Sequence, residues 1–231
     1  LVQQPSISAL GVGLRECAAL VRDMMHDDGL PADFHELEEG PPVVFGHLEA
    51  RKPAKTILCY SHYDVQPPEP LEEWSHGGPW SGSIVDGVLY GRGATDNKAG
   101  ILAFNKAAKA FLQVRGEVPV NLKFLIEGEE EIGSPHFRQI ATKPNILAAL
   151  KKGEGIFIPF ASQGKTGNVT VNLGSKGIIE LELIASGEKW GRGPKGDVHS
   201  SLKAMVDSPA WRLVQALQTL VTEDGNKPAI E

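Results

Sequence analysis

The stretch Thr56-Ile57-Leu58-Cys59-Tyr60-Ser61-His62-Tyr63-Asp64-Val65-Gln66-Pro67 decides the fold. Thr56 to Tyr60 is a short apolar run with the length and composition of a buried strand, and it leads straight into a His-Tyr-Asp sequence and a proline-rich loop. Val118 to Ile126 repeats the arrangement, ending in Glu127-Gly128-Glu129-Glu130-Glu131-Ile132-Gly133-Ser134. Between the two lies Gly91-Arg92-Gly93-Ala94-Thr95-Asp96-Asn97-Lys98, glycine-rich and then helical in spacing through about Arg115. Buried strands alternating with helices predict an α/β domain, a mostly parallel sheet flanked by helices. Open sheets of this kind place ligands beyond the carboxyl ends of their strands, where all three polar motifs are expected to stand.

Outward from this centre, Leu14, Cys17, Ala18, Val21, Met24 and Met25 recur at helical spacing until Gly29 and Pro31. Segments 32–37 and 42–50 alternate as strands around a Gly-Pro-Pro turn, and residues 83–90 read as a hairpin turned at Asp86-Gly87. A helix is expected after Pro135, perturbed at Pro144, followed by strands at 156–158 and 169–173. Residues 173–177 (Leu-Gly-Ser-Lys-Gly) look like a hinge. Beyond them Ile178–Ser186 alternates as a half-exposed strand, and Pro209–Val221 as an amphipathic helix. The expected organisation is a catalytic domain over 1–177 and the beginning of a second domain over 178–231.

The 231 residues carry a net charge of −6 and no Lys/Arg cluster, which argues against a nucleic-acid partner. No apolar run approaches the ~20 residues of a membrane span. Two cysteines, Cys17 and Cys59, do not make a disulfide framework; they read as buried thiols in a reducing compartment, and a cytoplasmic location is expected. No signal peptide is visible, and both ends read as cuts in a longer chain.

Each polar motif has a structural and a chemical reading. On extended backbone His62 and Asp64 point the same way, so His62 could ligate a metal while Asp64 holds its other ring nitrogen; alone, such a pair is more often structural. The carboxylate of Asp96 could bridge two cations ~3.5–4 Å apart, or simply cap the helix that follows. The acidic run 127–131 favours chemistry, because carboxylates at the end of a buried strand repel one another unless a cation compensates. A His, Asp and Glu set without thiolate suits zinc and could also take manganese or cobalt.

Taken in order, SHYDVQP, GRGATDNKAG and EGEEEIGS closely resemble the family of carnosinase-type dipeptidases, aminoacylases, glutamate carboxypeptidase, acetylornithine deacetylase and succinyl-diaminopimelate desuccinylase. The resemblance runs along the whole chain, and HYDVQP leans towards the dipeptidase branch. It implies a zinc-aminopeptidase-like α/β domain with an inserted α+β lid that mediates homodimerisation, and two zinc ions per active site. It makes His62 a ligand of one metal, Asp64 its orienting partner, and Asp96 the bridge, followed in the family by a cis peptide bond. Glu131 becomes a ligand of the other metal, and Glu130 the general base acting on the activated water. GRGPKGDVHSS resembles the lid segment whose His reaches the partner subunit's site, so His199 is expected to contact substrate and stabilise the oxyanion.

The expected activity is metal-dependent hydrolysis of the amide bond of a dipeptide or small peptide. The alternatives are N-acyl amino acid deacylation by the same centre, or a catalytically silent relative kept for dimerisation or binding. Two departures weigh on this. Phe160 stands where the family has a further Asp ligand, and the family's last His ligand lies beyond the lid, past Glu231. Each metal is thus one protein ligand short, and the chain as written is expected to be a weak enzyme. Ser201, where the family commonly has Gly, is a smaller departure.

Overall fold

Helix α1 (Leu14–Asp27) turns Cys17, Ala18, Val21 and Met25 inward at the spacing of one helical face. The computed structural model describes residues 1–159, 167–168, 170–189 and 191–229, which divide into two units, Leu1–Thr170 and Val171–Glu231.

In the first unit α1 is followed by β1 (Ala32–His35), β2 (Val43–Leu48) and β3 (Thr56–His62). A separate hairpin, β4 (Ser83–Val85) and β5 (Val88–Tyr90), precedes α2 (Lys98–Arg115). Then come β6 (Asn121–Glu127), α3 (Phe137–Ala141), α4 (Pro144–Leu150) and β7 (Gly155–Phe157). The sheet order is β1-β2-β6-β3-β7. Strands β6, β3 and β7 are parallel, and β2 runs antiparallel to both its neighbours, so β2 alone is reversed. The central strands β2, β6 and β3 are mostly apolar and buried because both faces are covered, whereas the edge strand β7 is exposed. Phe124 and Ile126 pack with Cys17, Val21, Met25 and Ile101 from α1 and α2. Leu125, pointing the other way by the strand period of two, packs with Ile140 and Ile146 from α3 and α4. Cys17 and Cys59 are free thiols; burial pushes both up, Cys59 to about 12.

The second unit contains a 3-10 turn (Ser200–Ala204) and α5 (Pro209–Gln218), whose N-terminal Trp211 N–H is accepted by the Ser208 hydroxyl at 3.4 Å. Two expected strands, 169–173 and 178–186, do not form among the described residues. Residues 170–173 and 178–186 have no ladder partner among the described residues, and Val169 lies outside them. Alternation alone cannot make a strand, since its main-chain groups need a second backbone. Ile178, Ile179 and Leu181 are accordingly exposed. Helix α5 stops at Gln218, short of Val221, which forms an isolated bridge to Pro228. Among the described residues no helix is long and apolar enough to cross a membrane.

Asp28, buried where α1 ends, receives the ammonium groups of Lys106 at 2.6 Å and Lys109 at 2.8 Å and so ties α1 to α2. Burial works to raise its pKa, but the two lysines outweigh it and hold the carboxyl below its ordinary value. Such a group stabilises the fold fully above its unfolded pKa, ~3.9, and ceases to as pH falls through the lower folded value. Asp28→Asn is expected to lower the thermal midpoint at neutral pH, with the gap to wild type narrowing on acidification. Melting curves between neutral pH and pH ~2 check this, spanning the window set by the linkage.

Candidate metal centre

Strands β3 and β6 are parallel neighbours with His62 opposite Glu127, so both chains leave the sheet at the same edge. The Tyr63 N–H donates to the Glu127 carbonyl at 2.8 Å, carrying the pairing one step further. His62 is buried, and its Nδ1 lies 3.2 Å from Oδ1 of the fully buried Asp64. The same carboxylate accepts the Glu130 N–H at 3.2 Å and the Glu131 N–H at 3.0 Å. These open the 3-10 turn Glu130–Ile132, whose first N–H groups have no partner within the turn. Asp64 therefore orients the imidazole and also holds the turn that carries the two acids.

Asp96 arrives differently from the expectation. It does not follow a strand of the main sheet; it lies between the β4–β5 hairpin and α2. Nor does it cap α2, whose N-cap is Asn97. The Asp96–Asn97 peptide is cis. The half-exposed Asp96 carboxylate meets His62 Nε2 at 3.1 Å, with Glu130 Oε2 at 3.7 Å from the same nitrogen. His62, Asp96 and Glu131 each offer a ligand atom, all within 4.8 Å of one another.

The acidic run separates into two kinds of residue. Glu127 accepts the Tyr60 hydroxyl at 2.5 Å and the Ser134 hydroxyl at 2.8 Å, and Glu129 meets His136 Nδ1 at 2.9 Å. These two are buried and satisfied by neighbours: contrary to the expectation for the whole run, hydroxyls and an imidazole, and not a cation, serve two of its members. Gly128 between them is required by packing, because a Cβ there would lie 2.3 Å from the Tyr63 ring. Glu130 and Glu131 are left facing the cluster. Gln66 Nε2 donates to the Glu131 carbonyl at 2.9 Å and to its carboxylate at 3.0 Å, fixing that side chain.

Burial works to lower the pKa of His62, but the hydrogen bond and charge of Asp64, with Glu130 and Asp96, raise it to about 9. The surroundings thus favour positive charge at Nε2, a need that a divalent cation also meets. Burial raises Glu131, the Gln66 hydrogen bond opposing and the Asp96 charge reinforcing it. The donor set is nitrogen and oxygen only, with Nδ1 already occupied so that Nε2 is the free ligand atom; this fits zinc. His199 lies in the second unit, exposed at the N-cap of the Ser200–Ala204 turn, with Nδ1 accepting the Ser201 N–H at 3.2 Å. It lines a groove of about 590 Å³ with Asp197, Lys203 and Trp211. Phe160 lies outside the described residues.

The family model for Peptidase family M20/M25/M40 matches residues 58–230. The chain belongs to this family. Its relatives include the Beta-Ala-His dipeptidase of Homo sapiens, 43% identical over 103 residues, which are 45% of this chain and 20% of that protein. The Cys-Gly metallodipeptidase DUG1 of Saccharomyces cerevisiae is 30% identical over 189 residues, 80% of this chain and 37% of that protein. The M20 family metallo-carboxypeptidase Sso-CP2 from Sulfolobus solfataricus superimposes with a TM-score of 0.83 at 33% identity, covering 98% of this chain and 49% of that one. The chain spans only about a fifth to two fifths of the length of these curated relatives.

Two elements of this M20 site escaped sequence reasoning. Gln66 follows Asp64 by two residues, and on extended backbone that spacing puts both on one side. The Glu129–His136 pair had no signal at all, since the seven-residue gap closes only through the turn. For Asp64, Asp64→Asn replaces one acceptor oxygen by an amide that faces an N–H donor. Zinc affinity is expected to fall about 10–100-fold, as for the loss of other partners behind a ligand, measured by competition with a chromogenic chelator.

Proposed function

We propose that the protein of which this chain is part is a zinc-dependent dipeptidase or small-peptide exopeptidase. The observation that carries this is the convergence of His62, Asp96 and Glu131 beside Glu130, in a chain of the M20/M25/M40 family. His62, Asp96 and Glu131 would hold the metal, Asp96 having a second oxygen with which to bridge a pair of ions; manganese or cobalt suits the same donors. Bound there, a metal ion supplies Lewis acidity, activating water and polarising the scissile carbonyl. Glu130, half-exposed beside His62 Nε2, is placed to take the proton from the attacking water and pass it to the leaving amine. Asp64 stays behind the site, keeping the imidazole oriented.

We extend the reading to the domain plan, catalytic over 1–177 and lid over 178–231, to homodimerisation through the lid, and to a cytoplasmic location. The exposed apolar side chains Ile178, Ile179, Leu181 and Ile184 support the dimer, and the two buried free thiols support the compartment. His199 would donate to the substrate oxyanion: because its Nδ1 accepts a main-chain N–H, the neutral ring carries its proton on Nε2.

The decisive experiment is Glu130→Ala in the full-length protein, assayed on a panel of dipeptides and N-acyl amino acids with zinc, manganese or cobalt. Turnover is expected to fall by at least about 10²-fold, the scale of a lost general base, with metal content nearly unchanged. Loss of metal together with activity would mean that Glu130 is the ligand and Glu131 the base. Cleavage of acylated amino acids and not dipeptides would move the assignment to a deacylase. Light scattering of the full-length protein is expected to give a dimer; a fully active monomer would remove His199 from the mechanism.

A further inference from the structure

Two ligand-bearing loops, the one carrying His62 and Asp64 and the one carrying Asp96, come from distant parts of the chain, and residues 1–7 touch both. On the first loop, the Ser6 hydroxyl donates to the Tyr63 carbonyl at 2.6 Å, and the Val65 N–H donates to the Ser6 carbonyl at 2.9 Å. Ile7 and Val65 form a parallel bridge beside them. On the second, Lys98 Nζ, two residues beyond Asp96, donates to the Gln4 carbonyl at 2.6 Å and to the Leu1 carbonyl at 3.3 Å. Gly91 opens the same motif, and a Cβ there would lie 2.4 Å from Val2 Cγ1, so that loop is shaped to the segment.

Lys98 and Ser6 are both completely buried. An ammonium taken out of water is costly unless its hydrogens are satisfied, and an apolar side chain would serve helix packing as well. At Lys98 the satisfying groups are main-chain carbonyls of the segment, with the Cys17 thiol against the same ammonium and the Trp80 ring 5.9 Å away. The arrangement makes sense as a tie between two pieces of chain rather than as filler in a core.

We infer that residues 1–7 form a brace which sets the position of the Asp96 turn against the His62–Asp64 loop, with Lys98 and Ser6 as its positioning residues. Neither touches the cluster itself; each acts through the loop it holds. The inference rests on the metal-centre reading above. It predicts that cutting either end of the brace loosens the ligand set without dissolving the fold.

The test uses the full-length protein in four forms: wild type, Lys98→Met, Ser6→Ala and Lys109→Met. Lys109→Met is the control, because it removes an ion pair from the same helix on the side of Asp28. Zinc affinity is measured by chelator competition, the thermal midpoint without metal by calorimetry, and amide exchange at Val65 by NMR. Lys98→Met and Ser6→Ala are each expected to weaken zinc binding about tenfold or more, in line with other groups that hold ligands in place. Both should speed exchange at Val65. Lys109→Met should lower the midpoint and change neither. The brace is overturned if zinc affinity and Val65 exchange stay at wild-type values in the two variants, or if affinity merely follows the midpoint across all three. If Lys98→Met does not fold, Ser6→Ala decides. If wild type takes up no zinc, the metal-centre reading fails, and Val65 exchange alone then upholds or overturns the brace.

Discussion

The fully buried carboxylate of Asp64 accepts from the His62 ring and from the N–H groups of Glu130 and Glu131. A carboxylate out of water is tolerable only when its lone pairs are met, and charge-assisted bonds of this kind are the strong ones. Three structural pieces therefore have one common reference point: the end of β3, the imidazole, and the turn after β6. Moving any of them strands a buried charge or a buried donor. The sheet prepares this, since parallel β3 and β6 deliver His62 and Glu127 side by side, but the sheet alone does not say which acids face the imidazole. Asp64 does, by holding the turn so that Glu130 and Glu131 face the cluster.

The same logic explains why five positions rich in glutamate do not simply repel. Glu127 and Glu129 point into protein, where Tyr60, Ser134 and His136 supply donors. Burial still raises Glu127, the hydroxyls only partly countering it. Glu130 is half exposed, where water screens its charge. A run that reads as one acidic patch is two buried acids served by protein donors and two that face the cluster: Glu127 ends β6, Glu129 caps the turn, and Glu130 and Glu131 lie within it.

Sequence carried the centre of the fold well and its periphery poorly. The apolar runs at 56–60 and 118–126 and the helical face of α1 are strong signals because burial on both faces, or along one stripe, leaves a plain pattern. His62, Asp96 and Glu131 could be named because their motifs are specific in order, but no spacing rule showed that Asp96 enters from the segment between a hairpin and α2. Gln66, Ser6 and Lys98 act through main-chain carbonyls and single hydrogen bonds, which leave no periodic trace. In the second unit the alternation of residues 178–186 suggested a strand, yet pairing depends on a backbone elsewhere, and that dependence is invisible in a local pattern.

These interactions also bear on how a cation would be received. In structural zinc sites the ligands come together only when the metal binds, so metal affinity and folding are one free energy. Here the imidazole, the acid turn and the Asp96 loop are each held by protein groups: Asp64, Gln66 and the main chain of the opening segment. Ordering the ligands is then charged to the fold rather than to binding, and less affinity is spent on it. What the site retains is unbalanced negative charge at its open side, from Asp96, Glu130 and Glu131, against a single imidazole. Asp64 behind the ring, then Glu130 and Asp96 at the open side, raise the ring's pKa, so that proton and metal would compete for the same Nε2. Metal binding at such a centre would release a proton and strengthen as pH rises towards about 9, the same direction as at a site built on acids alone but at higher pH.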